Sequence, residues 1–177
     1  MILKKYVISG EDRVMRLRIM LYRGLVLVGV VFGTSVQSIA QSKPVEAAKM
    51  FLTAFNAGDN AKAATLMSPG GLVIVDEFAP HLWTGRSAFT AWTADYDKDA
   101  KAKGITDPLV IMDPALVETV TGDVAYLVCP MTYMYKLKGV PMREPARMAM
   151  VLHKEGATWR FMSWTWTGTV PKVAAKK

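Results

Sequence analysis

Two adjacent carboxylates, Asp76 and Glu77, close a short apolar strand, Leu72 to Val75, in a chain of 177 residues. A carboxyl group at such a position can act as a general base when burial lifts its pKa toward neutrality. Adjacent strand residues point to opposite faces, so alternation predicts that at most one of the pair faces an interior. Asp76 is the candidate base. The plainer alternative is a carboxylate held for structure by Arg86 or Arg147. Five residues on, His81 sits in the segment Ala-Pro-His-Leu-Trp-Thr-Gly. It is the candidate acid partner or ligand contact, against the alternative of a solvated loop histidine.

Other chemistries lack the residues they need. His153 lies beside a Lys-Glu-Gly turn and reads as surface; two distant histidines and one cysteine make no recognisable metal site. Asp95-x-Asp97-x-Asp99 opens like a calcium loop, but Ala100 stands where Gly is needed and Thr106 where Glu is needed. It reads as a solvated helix end. Cys129, mid-strand between Val128 and Pro130, reads as a buried thiol, and a single cysteine excludes an intramolecular disulfide. Nucleophile-elbow serines, phosphate-cradling glycine loops and dinucleotide fingerprints are absent, so no cofactor is expected.

Charge and hydropathy divide the chain. The formal charge is +7, but Lys4, Lys5, Arg13, Arg16, Arg18 and Arg23 all precede residue 40, against only Glu11 and Asp12. The remainder is nearly neutral, its excess lying in Lys172, Lys176 and Lys177, which argues against a nucleic-acid partner. After Arg23 comes an apolar run, Leu25 to Phe32, then small and polar residues ending Ser38-Ile39-Ala40. This predicts a secretory signal peptide over residues 1–40, cleaved after Ala40, with Met1 or Met15 as the start. The run is short of the roughly 20 residues a spanning helix needs, so no anchor is expected after cleavage. An exported domain without disulfides fits a periplasm.

Residues 41–177 read as one domain. Periodicity predicts a helix from Pro44 to about Ala57, capped by Ser42, with Val45, Ala48, Leu52 and Phe55 on one face. Asp59 or Asn60 can cap a second, short helix through Leu66. A third helix, from Ser87 to about Lys101, places Phe89, Trp92 and Tyr96 on one side. Strands follow at Leu109–Val120, Val124–Leu137, Met142–His153 and Thr158–Thr167, with bulges or edges expected near Pro114 and Pro130. Helices first and a meander afterwards make an α+β domain.

The last two strands are apolar on both faces. Trp159, Phe161, Ser163 and Thr165 alternate with Arg160, Met162, Trp164 and Trp166; Arg147, Ala149 and Val151 alternate with Met148, Met150 and Leu152. Parity with Trp159 and Phe161 turns Ser163, Thr165 and Arg147 inward. The other face, with Met148, Met150, Trp164 and Trp166, then needs cover, and a homodimer through it is expected.

Three stretches carry a resemblance. Phe51-Leu-Thr-Ala-Phe-Asn-Ala-Gly-Asp59 resembles a first-helix ending in Asn-x-Gly-Asp. Asp76 followed nine residues later by Gly85 resembles a first strand and its exit. Arg147-Met-Ala-Met-Val151 and Trp159-Arg-Phe161, across a Lys-Glu-Gly turn, resemble a closing hairpin. In this order, over residues 44–168, they resemble the NTF2-like superfamily, which includes ketosteroid isomerases and polyketide-cyclase-like (SnoaL-like) proteins. The resemblance implies a cone: N-terminal helices packed on a strongly curved, mostly antiparallel sheet.

It also implies where to look. By the family's layout Asp76 falls at the isomerase base. The tyrosine donor position falls at Phe51 and the aspartic acid donor position at about Ala149, neither of which can donate. Loss of both donors speaks against ketosteroid isomerase chemistry. The expectation is an exported protein whose cone binds a small hydrophobic molecule through Phe51, Phe55, Trp83, Trp92, Tyr126, Arg147, Phe161, Ser163 and Thr165, with Asp76 moving a proton. The alternative is a non-catalytic dimerisation module whose cone is filled by its own side chains. Tyr133, Tyr135, Met131 and Met134 read as core.

Overall fold

A computed structural model describes residues 43–175. The expected signal peptide, the Ser42 cap, Lys176 and Lys177 lie outside the described residues. Pro44 starts helix α1, Pro44–Asn56, where its fixed φ and missing N–H cost nothing. Its face buries Ala47, Ala48, Phe51, Leu52 and Ala54. The Asn-Ala-Gly-Asp ending has a structural explanation. Asn56 exchanges two hydrogen bonds with the backbone of Val110, at 2.8 and 2.9 Å, which pins the helix end to the sheet. Gly58 takes a left-handed φ of 69°, and the Asp59 carboxylate then caps helix α2, Asn60–Ala64, by accepting from the Lys62 N–H at 2.9 Å.

Strand β1, Leu72–Val75, pairs antiparallel with β2, Leu82–Gly85. The segment read as a loop around Leu82 and Trp83 is therefore a strand, four residues long and too short to show a period. Helix α3, Ala88–Lys103, begins after Ser87 and stops at Gly104, which adopts the left-handed cap conformation. Then come β3, Ile105–Met112, β4, Val117–Thr121, β5, Val124–Leu137, β6, Val140–Glu155, β7, Thr158–Gly168, and the two-residue β8, Lys172–Val173.

The single strand expected over Leu109–Val120 is two, interrupted around Pro114. Both halves pair with β5, and Pro130 lies opposite the interruption, where its missing N–H leaves no ladder bond unmade. The sheet order is β2-β1-β7-β6-β5-β3, with β4 also on β5 and β8 on β6. Only the β1–β7 pairing among these is parallel. The result is the expected α+β cone, a curved and mostly antiparallel sheet with the helices packed inside its curve.

One bulge decides which side chains enter the cone. Along β6 and β7 the register runs Val151 to Ser163 and then Leu152 to Phe161, so Met162 is the extra residue. Phe161 is fully buried, and beyond the bulge so is Trp164, at 2% exposure. The uninterrupted alternation expected from Trp159 to Trp166 is thus overturned. On β6 the inward residues are Glu144, Ala146, Met148, Met150 and Leu152, while Arg147 is exposed. Met148, Met150 and Trp164 are core, and half-buried Trp166 packs against that core. The face proposed for a partner is therefore the interior of its own subunit. Cys129 is buried as expected, and burial pushes its thiol pKa up.

Candidate active site

The cone holds a cavity of about 560 Å³, a volume suited to a small organic ligand. It is not filled by its own side chains. Its apolar walls come from α1 (Phe51, Leu52, Phe55), α3 (Trp92, Tyr96) and the far end of β7 (Trp164, Trp166). The rings brace one another: Trp92 lies 5.4 Å from both Phe55 and Trp164, centroid to centroid, and 5.7 Å from Tyr96. Exposed lining residues, Ala102 and Lys103 of α3, Lys138 and Pro171, mark the opening.

Asp76 stands in this wall at 9% exposure. Its Oδ2 accepts from the Trp92 indole Nε1 at 2.9 Å and its Oδ1 from the Glu77 backbone N–H at 2.7 Å. Burial raises its pKa to about 6, with those two hydrogen bonds pulling the other way. Neither Arg86 nor Arg147 holds it: both are exposed and line no part of the cavity. A carboxylate ionised near neutrality, held in one orientation and walled by aromatic rings, has the properties of a general base.

Glu77 lines the same cavity. Alternation had allowed only one of the two, but β1 ends at Val75 and the chain bends at Glu77 and Phe78, so strand parity no longer applies. Across from it Glu144, 3% exposed, projects from β6. The two carboxyl groups face each other, and the Trp166 indole hydrogen-bonds Glu144. Burial, then the charge of Glu144, raises the Glu77 pKa to about 7; burial raises Glu144 as well. Both sit over Gly168, where any Cβ would collide with Glu144 Oε1 and Glu77 Oε2.

Two hydroxyls complete the polar set. Tyr96 of α3 and Tyr133 of β5 hydrogen-bond at 2.8 Å within the lining. Burial drives both phenol pKa values up, so both keep their protons at neutral pH. Phe51 does line the cavity, but Ala149 belongs to the outer face with Arg147, so it is no cavity position. The mutually bonded hydroxyls in the lining are those of Tyr96 and Tyr133.

Of the residues expected at the site, Asp76, Phe51, Phe55 and Trp92 line the cavity. His81 does not. It is exposed, and its Nδ1 lies 3.1 Å from the Asp76 backbone oxygen, so it braces the turn. Trp83 is buried behind the wall, donating to Asp95 Oδ2 at 2.9 Å. Phe161 is packed in the core beneath the cavity, with its ring 5.2 Å from that of Phe51. Tyr126 is 45% exposed on the outer face, with Arg147. Ser163 and Thr165, reversed by the bulge at Met162, leave the lining too. Sequence reasoning missed Glu144, Tyr133 and Tyr135. Their signal was parity: Leu127, Cys129, Met131, Tyr133 and Tyr135 occupy alternate positions of one strand, and Glu144 pairs with Tyr133 across it.

Among the described residues no helix is long and apolar enough to cross a membrane, and no group of acidic, histidine or cysteine side chains could hold a metal ion. No curated protein matches the sequence. Among solved structures, a hexachlorocyclohexane dehydrochlorinase from Novosphingobium barchaimii superposes with a TM-score of 0.62 at 10% identity, over 74% of this chain and 87% of that one. A ketosteroid isomerase-like protein from Erwinia carotovora atroseptica gives 0.57 at 16% identity, over 76% and 99%. An NTF2-like protein with a cystatin-like fold from Novosphingobium aromaticivorans gives 0.57 at 18%, over 72% and 80%. At these identities the likeness is one of fold. The sequence match is more specific: residues 45–166, most of the chain, fit the SnoaL-like domain, and the chain belongs to that family within the NTF2-like fold.

Proposed function

We propose that the cone binds a small, mostly apolar molecule and that Asp76 exchanges a proton with it. The observation that carries this reading is Asp76 itself, raised to about 6 and fixed by Trp92 in the wall of a 560 Å³ cavity. At pH 7 such a group is ionised in roughly nine molecules of ten and still basic enough to accept a proton. Negative charge that develops on the ligand meets the Tyr96–Tyr133 hydroxyl pair, protonated donors already fixed in place. The aromatic walls exclude water and strengthen both interactions. The reaction class is proton abstraction, leading to isomerisation or elimination.

Native mass spectrometry of the protein purified from the envelope fraction of its native host tests the binding step. A discrete extra mass on the folded protein is expected, and its identity starts the search for a substrate. A bare spectrum, together with an Asp76→Asn variant that behaves identically toward every ligand tried, would sink the reading. Export itself is proposed from the character of residues 1–40.

A second copy of the chain is proposed on the outer face of the sheet. There Val73 and Val75 on β1, Ala149 and Val151 on β6, Tyr126 and Val128 on β5 and Val117 on β4 run across adjacent strands, with Ser163 and Thr165 of β7 between them. Val73, Tyr126 and Val117 are 43%, 45% and 39% exposed. An apolar sheet face this continuous suits an isologous pairing, in which the same patch serves both subunits.

A further inference from the structure

The cavity is short of positive charge at one end. Glu77 and Glu144 converge there over Gly168, and Glu144 Oε1 is buried with no hydrogen-bond partner. The nearest cation, Lys103, pulls both carboxyl pKa values down through its charge but is itself bonded to Asp99, at 2.7 Å. A buried carboxylate oxygen without a donor costs free energy unless something supplies a proton or a charge. The orphaned oxygen belongs to the end of the cavity lined by Tyr133, Tyr135 and Trp166.

Those rings give the second half of the site. Tyr133 and Tyr135 lie 4.6 Å apart, centroid to centroid, and Trp166 stands nearly perpendicular to Tyr133 at 6.5 Å. Aromatic faces attract organic cations through the ring quadrupole, and carboxylates attract them through charge and N–H donation. A hard metal ion needs a shell of oxygens that this end of the cavity does not offer. An ammonium group on an apolar body fits both the walls and the missing donor.

We propose that the Glu77–Glu144 end of the cone recognises a protonated amine, so that the ligand class is a small alicyclic or aromatic amine. This rests on the reading that the cone takes a ligand at all. The amine donates to Glu144 Oε1 and neutralises the pair, while its apolar body lies along Phe55, Trp92 and Trp164 toward Asp76.

The test is calorimetric titration of the native protein with matched pairs, 1-adamantylamine against 1-adamantanol and phenethylamine against phenylethanol. The amines are expected to bind about tenfold more tightly than the alcohols, as a charge-assisted hydrogen bond to a buried carboxylate implies. Glu144→Gln, which keeps the shape and removes the charge, should cut that preference to within about twofold and leave alcohol binding intact. Glu77→Gln, on the exposed member of the pair, gives the same readout if Glu144→Gln fails to fold, which circular dichroism will show. Equal or tighter binding of the alcohols overturns the amine site and leaves the cone a binding site. A preference that survives in both variants also overturns it. Binding of neither class takes the cone reading down as well.

Discussion

The indole of Trp92, in the middle of α3, donates its Nε1 hydrogen to Asp76 at the end of β1, 2.9 Å away and sixteen residues back along the chain. That bond joins the helix to the sheet at a carboxylate buried in the aromatic wall. It also opposes the burial that raises the Asp76 pKa. Trp92→Phe keeps most of the ring and removes the donor. The Asp76 pKa is expected to rise further above its present value of about 6, and folding stability to fall by about 1–3 kcal/mol. Carboxyl-carbon NMR titration and urea denaturation read the two effects. An unchanged titration would mean that the bond does not tune the group.

The pH dependence of stability follows from the raised carboxyls. Asp76 goes from an ordinary 3.8 to about 6, and Glu77 from 4.5 to about 7. Between those limits the folded chain holds more protons than the unfolded chain, so these groups make stability fall as pH rises through the window and level off above it. The buried Asp76 accounts for a loss on the order of 2–3 kcal/mol. Denaturant midpoints measured from about pH 4 to pH 8 should fall accordingly, and Asp76→Asn should flatten the acidic part of the slope. A slope of the opposite sign would contradict the burial of these groups.

Gly168→Ala separates position from charge. Its Cβ would occupy the space taken by the Glu77 and Glu144 carboxylates. Both obstacles are ends of flexible side chains, and Glu77 is exposed, so it can swing away. The expected stability cost is small, about 1 kcal/mol, while the Glu77 pKa falls back toward the ordinary glutamate range once it leaves its buried position and the charge of Glu144. An NMR titration that still finds Glu77 near 7 would show that its shift does not come from the pair.

Tyr96 and Tyr133 satisfy each other inside the cavity wall. Tyr96→Phe or Tyr133→Phe leaves the remaining hydroxyl without its partner, at a cost of about 1–2 kcal/mol each. The double variant should cost less than the sum of the two, because it leaves no orphan. Additive losses in a double-mutant cycle would show that the two hydroxyls are not coupled.

Sedimentation velocity at micromolar concentration should find a dimer. Val151→Glu, placed in the middle of the outer sheet face, should convert it to a monomer without loss of secondary structure. A wild-type monomer would remove the proposed pairing.

Helix limits and the strand β5 were legible from residues alone. Pro44, Asp59, Ser87 and Gly104 mark helix ends through local stereochemistry, and Val124–Leu137 emerges as one strand between turn signals. Asp76 was also legible as one of two acids closing an apolar run, as were Phe51, Phe55 and Trp92 as ring-bearing positions on helix faces. These signals act over a few residues, and nothing distant can reverse them.

Facing was decided elsewhere. A single extra residue, Met162, reverses every later side chain of β7, exchanging Ser163 and Thr165 for Trp164 and Trp166 in the cone. Nothing in Phe-Met-Ser-Trp marks a bulge, because the bulge belongs to the pairing with β6. The meeting of Glu77 with Glu144 over Gly168 is of the same kind. The sequence by itself determined the helices, most of the strands and one candidate base, since those depend on local periodicity and chemistry. Only the tertiary structure decided which side chains share the cavity, because strand register and sheet curvature are properties of segments far apart in the chain.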